Sequence, residues 1–595
     1  MLKLLKNFRW YYWLFCILII GFVYLQVAAD LKMPDYLTKI LNNAGLISKM
    51  REYGVPVPSE LLADTKREIY NSGLKMLLCS GISVVSTIIV SFLAAKIAAG
   101  FSHDLRDKVY NKVQNFSLNE IDSFSTSSLI TRSTNDITQI QMVIVMVLRI
   151  AVSAPIMAIK GIIQATKQAS SSNLNSIVII SVIALVLLVF IIFIFVMPKF
   201  KQIQGLTDKL NLVTRENLTG IRVVRANNAQ GYEEEKFSKV NNDVTKMNVF
   251  VNRMMSLLNP GMMIIMNGTS LCILWVGAYA INNNVLNIGD VFGFQQYAMI
   301  ICMAFMQLIM IFVMVPRGMV SAKRINEVLD SKNLIAEPEY STMPLEKGSI
   351  EFKNVSFMYP GSNEPVLSNI SFKIEDGETL AIIGSTGSGK STILNLINRF
   401  YDATSGSVLV DGVDVKEYKE KDLEAKLGLV PQKSNLFRGT IKSNLEYGKE
   451  NPTAEEITDA LTIAQAYDFV SNLDLKENAI VAQGGTNFSG GQKQRLCIAR
   501  AIIKKPEIFL FDDSFSALDL KTDQELRLAL KNMPNRATNV IVAQRIGTII
   551  NADKIVVLDK GEVVGIGTHK ELLESCSVYQ EIAYSQLSKE ELENA

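Results

Sequence analysis

The run Gly384, Ser385, Thr386, Gly387, Ser388, Gly389, Lys390, Ser391 has the form GxxxxGK[ST], with Thr392 directly after it. Each part suits a polyphosphate. The glycines let consecutive backbone N–H groups close around phosphate oxygens, the Lys390 ammonium adds a point charge, and the Ser391 hydroxyl can ligand Mg2+. Further along, Ile508, Phe509, Leu510, Phe511 and Asp512 form an apolar run ending in a carboxylate. Asp512 can hold the same cation, directly or through water.

Such a loop works only between a strand and a helix. Thr379–Gly384 reads as a buried strand feeding it, and Ser391–Phe400 as the helix behind it, whose N-terminus adds a positive field. Upstream, Ser349–Phe357 alternates like a strand. From about residue 348 the composition is that of a soluble α/β domain. The preceding part is different. Of the 595 residues 49% are apolar, and the excess lies in the first 320. Apolar runs near 10–29, 74–99, 139–165, 176–197, 257–281 and 291–315 are each long enough to cross about 30 Å of hydrocarbon.

Lys3, Lys6 and Arg9 ahead of a run ending Val27, Ala28, Ala29 would also suit a cleaved signal peptide. The length of the run, its opening Trp10, Tyr11, Tyr12 and Trp13, and the five later runs favour a retained helix. Basic residues cluster before the first run, after the second (Arg106, Lys108, Lys112, Arg132) and after the fourth (Lys199 to Lys246). By contrast, 166–175 has only Lys167, and 282–288 has no charge. Positive-inside counting therefore puts both termini in the cytoplasm and makes 30–73 a long external loop. A net charge of +2 suggests no nucleic-acid partner. The six cysteines lack CxxC spacing and read as packing residues. Met299, Met303, Met306, Met310 and Met314 share one face of the sixth run. That face is an interhelical or lipid contact, or an adaptable wall for apolar substrates. Arg149 and Lys160 fall inside the third run, where charge usually faces a cavity or a partner.

Phe488, Ser489, Gly490, Gly491 and Gln492 lie ahead of a basic helix start. With this signature the chain resembles the ATP-binding cassette (ABC) family, in the order of an exporter: membrane domain first, cassette second. The resemblance implies further roles. Tyr359 matches the aromatic that stacks on adenine, and Gln432 matches the glutamine that contacts Mg2+ and relays to the membrane domain. Asp519, in Ser516–Asp519, matches the loop that crosses to a second cassette. Phe124–Asp136 and Glu216–Ala226 look like the cytoplasmic segments that rest on the cassettes.

Two positions depart from that pattern. Where the family places a glutamate as general base there is Asp513, one methylene shorter. The switch histidine is replaced by Gln544, which can hydrogen-bond but cannot bring positive charge to a developing anion. Gln483 also stands where exporters commonly carry a glutamate. The pair describes a site that binds ATP and hydrolyses it poorly. Because family sites are shared between two cassettes, the combination resembles the degenerate-site subunit of bacterial heterodimeric multidrug exporters.

The expected architecture is an α-helical six-span transmembrane domain plus an α/β P-loop nucleotide-binding domain, an ABC exporter of type IV architecture. The boundaries are 1–330 for the membrane domain, 331–347 for a linker, 348–587 for the cassette and 588–595 for a tail. ATP and Mg2+ are the expected cofactors. A second half-transporter, membrane lipid and an amphipathic small molecule are the expected partners, in the cell membrane with the cassette cytoplasmic. The alternatives are a homodimeric lipid or peptide exporter and a regulatory, ATP-gated subunit.

Overall fold

The computed structural model describes residues 2–6, 8–54, 56–168, 174–283, 285–344, 346–533 and 536–587. The expected tail 588–595 lies outside them, as do residues 169–173 within the connection 166–175. The chain divides into two compact units, Met1–Gln114 with Ser127–Ser331, and Asn115–Thr126 with Lys332–Ala595.

In the first unit, among the described residues, six helices are long and apolar enough to cross a membrane: Trp10–Glu52, Ser59–Gln114, Thr126–Gln168, Leu174–Thr219, Gln230–Asn282 and Ile288–Asp330. Helices suit hydrocarbon because every backbone hydrogen bond closes within the segment. The second spans 56 residues, about 84 Å at 1.5 Å per residue, so it runs far beyond a bilayer. Ile179, Ile180, Ile183, Leu187 and Phe190 are exposed along the fourth, as a lipid-facing surface requires. Close approach between helices uses small residues. A Cβ on Gly293 would collide with Thr38 and Gln168, and one on Gly277 with Val291.

The segment 30–73, expected as a loop, is helical over Met33–Glu52 and again from Ser59. Pro34 and Asp35 favour its first turn, Lys49 and Arg51 its last. Its buried residues are Pro34 and Thr38, too few and too polar to show as an apolar stripe. Asn42 ties it to the sixth span by bonds from Nδ2 to Asp290 Oδ1 (3.0 Å) and from Gly289 N to Oδ1 (2.8 Å).

The second unit holds the cassette. Its strands are β1 (Ile350–Phe357), β2 (Leu367–Ile374), β3 (Thr379–Gly384), β4 (Ser405–Val410), β5 (Val413–Asp414), β6 (Leu427–Val430), β7 (Gly439–Thr440), β8 (Ile480–Val481), β9 (Ile508–Asp512), β10 (Thr538–Val542), β11 (Lys554–Asp559) and β12 (Glu562–Gly567). One sheet runs β2-β1-β4-β5 and is antiparallel; the larger runs β12-β11-β3-β10-β9-β6, parallel except for edge strand β12. β3, β9 and β10 are near-continuous apolar runs because both faces of a parallel sheet are covered. β3 lies between β11 and β10, so its carboxyl end opens where the strand order reverses, the usual ligand crevice of such sheets.

Two segments read otherwise from sequence belong to this unit. Leu118–Phe124 is a helix with a Ser117–Glu120 capping box, and Leu118 packs on the cassette core. The buried Glu120 carboxylate also accepts Leu334 N at 3.1 Å. Phe124–Asp136 is thus divided between the units at Thr126. The expected linker 331–347 is anchored as well: Thr342 Oγ1 donates to Glu417 at 2.9 Å, and Arg399 Nη2 to Ala336 O at 2.7 Å. In the first unit, Ile221–Ala226 is a short helix with no buried residue.

Candidate functional site

The phosphate loop is the turn from β3 into the helix Lys390–Ile397. Gly387 (φ +85°) and Gly389 (φ +97°) take backbone conformations that suit glycine. A Cβ on Gly384 would run into the Leu558 carbonyl of β11, whereas one on Gly387 would meet nothing within 4 Å. Lys390 Nζ donates to the carbonyls of Gly384 (2.9 Å) and Ser385 (2.7 Å), which holds the ammonium over the loop. Burial lowers its pKa, with the Asp513 and Asp512 charges opposing. Ser388 Oγ is buried without a hydrogen-bond partner. A half-buried cation, an orphaned hydroxyl and a helix N-terminus around one turn fit a polyphosphate.

Ser391 Oγ donates to Asp512 Oδ1 at 2.8 Å, so two of the three expected cation ligands converge. Burial pushes the Asp512 carboxyl up; the Ser391 bond opposes that and the Asp513 charge adds to it. β9 and β10 are in register at Asp512 and Val542, so the residues just beyond the two strand ends meet. Gln544 Nε2 donates to Asp513 Oδ2 at 2.9 Å, and Gln432 Nε2 lies 3.5 Å from the same oxygen. Asp513 sits at φ +48°, held by its N–H on Val542 O (3.0 Å) and by the Ser516 hydroxyl on its own carbonyl (2.9 Å). Burial raises the Asp513 pKa, with the Gln432 and Ser516 bonds opposing.

Tyr359 joins this cluster through Thr392, oxygen to oxygen at 3.1 Å, and stands edge-to-face with Phe357 and Tyr401. The remaining expected site residues form a second group. Ser489 caps the helix Gly490–Ile502, exchanging bonds with Gln492. Gly491 lies beside the Ala517 carbonyl, which brings the signature next to the Asp519 loop. Asp519 caps the helix Leu520–Lys531 with both oxygens on Thr522, which lowers its pKa. Gln483 is exposed. Among the described residues no hydrogen bond links this group to the phosphate loop.

Two contributors carry no sequence signal. Gln586 Nε2 donates to Gln544 O, and its Oε1 accepts Ile546 N, both at 2.8 Å, pinning the turn that aims Gln544. Tyr401 packs on Tyr359 and donates to Asp122 at 3.1 Å, tying the aromatic cluster to the helix Leu118–Phe124. Only spatial contact across 42 and 279 residues of chain reveals them.

The description "ABC transporter transmembrane region" matches residues 16–305, and "ABC transporter" matches 367–516. An uncharacterized ABC transporter ATP-binding protein of Mycobacterium bovis is 40% identical over 523 residues, 87% of this chain and 89% of that one. This chain belongs to the ABC transporter family. YfiB of Bacillus subtilis, an uncharacterized ABC transporter ATP-binding protein, is 36% identical across 95% of both chains. An ATP-dependent lipid A-core flippase of Syntrophus aciditrophicus is 29% identical across 86% of this chain and 84% of its own. The fold matches a bacterial Atm1-family ABC exporter solved with ATP bound, at TM-score 0.78 and 24% identity over 95% and 97% of the two chains. The chain is a half-transporter with one membrane region and one nucleotide-binding region, a multi-pass ABC transporter with the fold of an exporter.

Proposed function

We propose that this chain is the degenerate-site half of a heterodimeric exporter of amphipathic compounds. The observation that carries the reading is the Asp513–Gln544 pair: a shortened base whose carboxylate is engaged, at 2.9 Å, by a neutral amide. Such a site retains ATP and turns it over slowly. The loop Gly384–Thr392 would hold the phosphates, Tyr359 the adenine, and Ser391, Asp512 and Gln432 the Mg2+, which supplies charge neutralisation when bound. The opposing wall would come from a second cassette. Gly490 supports a shared site: its φ does not demand glycine, and a Cβ there would meet nothing within 4 Å. A close approach from outside the cassette accounts for it.

The signature Ser489, Gly490, Gly491 and Gln492 would therefore complete the partner's catalytic site, and Asp519 would lie at the junction. Closure of the paired cassettes would bias the membrane unit outward, and hydrolysis at the partner's site would reset it. In this arrangement the termini and cassette face the cytoplasm of a cell membrane. The alternative, a homodimeric lipid exporter, is favoured by the likeness to a lipid A-core flippase.

Steady-state ATPase in lipid separates the two. In the heterodimer, turnover appears only on co-expression with the partner; it is abolished by replacing the partner's catalytic glutamate and merely reduced by Asp513→Asn. Robust turnover by this chain alone sinks the heterodimer.

A further inference from the structure

At the end of the spans away from the Lys3–Asp330 ion pair, the helix Trp10–Asp30 turns into Met33–Glu52, and the third span helix ends at Gln168. A cavity of about 480 Å3 lies among them, lined by Lys32, Asp35, Tyr36, Lys39, Lys167 and Gln168. Its charge is lopsided. The single carboxylate, Asp35, already accepts the Tyr297 hydroxyl at 2.6 Å. Among the described residues no ion pair engages Lys32, Lys39 or Lys167.

Gln168 is fixed at the cavity wall by Thr38: its Nε2 donates to Thr38 Oγ1 at 2.8 Å.

Depth and neighbouring surface narrow the ligand. Trp10–Asp30 has 21 residues, about 31 Å, one hydrocarbon thickness, so Lys32 comes just beyond it at headgroup level. One and two turns below Lys167 on the same column are Ile163 and Ile159, 48% and 60% exposed. Lys160, the other cation near that column, is already met: its Nζ lies 3.5 Å over the Tyr24 ring. A free anion would use the lysines but not the isoleucines. A phospholipid uses both.

We infer that this cavity binds the headgroup of an anionic phospholipid. Lys32, Lys39 and Lys167 take the phosphate, and an acyl chain lies along Ile163 and Ile159. The site rests only on the chain spanning a membrane and is independent of the cargo and of the heterodimer.

The test uses the assembled full-length transporter in phosphatidylcholine nanodiscs with and without phosphatidylglycerol. Thermal midpoint is one readout, and lipid retained in native mass spectrometry the other. The parent should melt higher with phosphatidylglycerol and retain it in preference to phosphatidylcholine. Lys32→Gln/Lys39→Gln/Lys167→Gln should cut retention at least about tenfold. The corresponding triple arginine variant should keep it, as should Lys49→Gln/Arg51→Gln/Lys66→Gln, which removes the same charge elsewhere. Undiminished retention by the triple glutamine variant, or equal retention of phosphatidylcholine by the parent, overturns the site. Glycerol phosphate in solution raising the midpoint as much as the lipid does would overturn the lipid assignment in favour of a soluble phosphate.

Discussion

Asp513→Glu combined with Gln544→His is expected to convert this chain's own site from holding ATP to hydrolysing it. Asp513 Oδ2 accepts Gln544 Nε2 at 2.9 Å, a bond to a charged acceptor worth about 1.5–3 kcal/mol. That bond turns the carboxylate toward a neutral amide of its own cassette. Glutamate adds about 1.5 Å of reach, and histidine can carry the positive charge that an amide cannot. A base placed within reach contributes about 10²–10⁴-fold, or about 2.7–5.4 kcal/mol at 1.36 kcal/mol per decade. Over most of these two ranges the gain exceeds the bond given up, so the rate is expected to rise. The assay is phosphate release by the single chain in lipid, with Lys390→Ala as the zero and nucleotide affinity measured in parallel. A double variant within about threefold of the parent, at unchanged ATP affinity, would refute the argument that base and switch limit this site.

Gly384→Ala should lower the melting midpoint, because its Cβ meets the Leu558 carbonyl and prises β3 from β11; overpacking of this kind costs about 1–3 kcal/mol. Tyr359→Phe should leave ATP affinity nearly unchanged while giving up the Thr392 bond, whereas Tyr359→Ala should weaken binding roughly 2- to 10-fold, read by equilibrium nucleotide titration. Burial raises the Asp513 pKa, so its ionisation opposes folding: the penalty is absent below the unfolded carboxylate pKa, grows as pH rises, and is complete above the folded pKa. Asp513→Asn should therefore raise the thermal midpoint at neutral pH, and the difference should shrink as pH falls toward the ordinary carboxylate range; a pH-independent difference contradicts this.

How much of the molecule could be read beforehand follows from how local each signal is. The phosphate loop, Asp512 and the signature are contiguous strings whose chemistry is carried by neighbours in sequence, and the six spans announce themselves by length and apolarity. Met33–Glu52 was hidden because the residues it buries are a proline and a threonine, so the helical period exists without the apolar contrast that reveals it. Asn115–Thr126 was hidden for another reason: Leu118, Glu120 and Asp122 acquire meaning only against Leu334, Tyr401 and the cassette core, far along the chain. The departures at Asp513 and Gln544 lie between these cases. Sequence marks each as one substituted residue, and neither alone says whether it touches the other. The β9–β10 register turns two separate changes into one hydrogen-bonded unit, so reverting either alone leaves the other half of that unit in place. For this reason the two reversions should be non-additive in rate, and the double variant should exceed the product of the single ones.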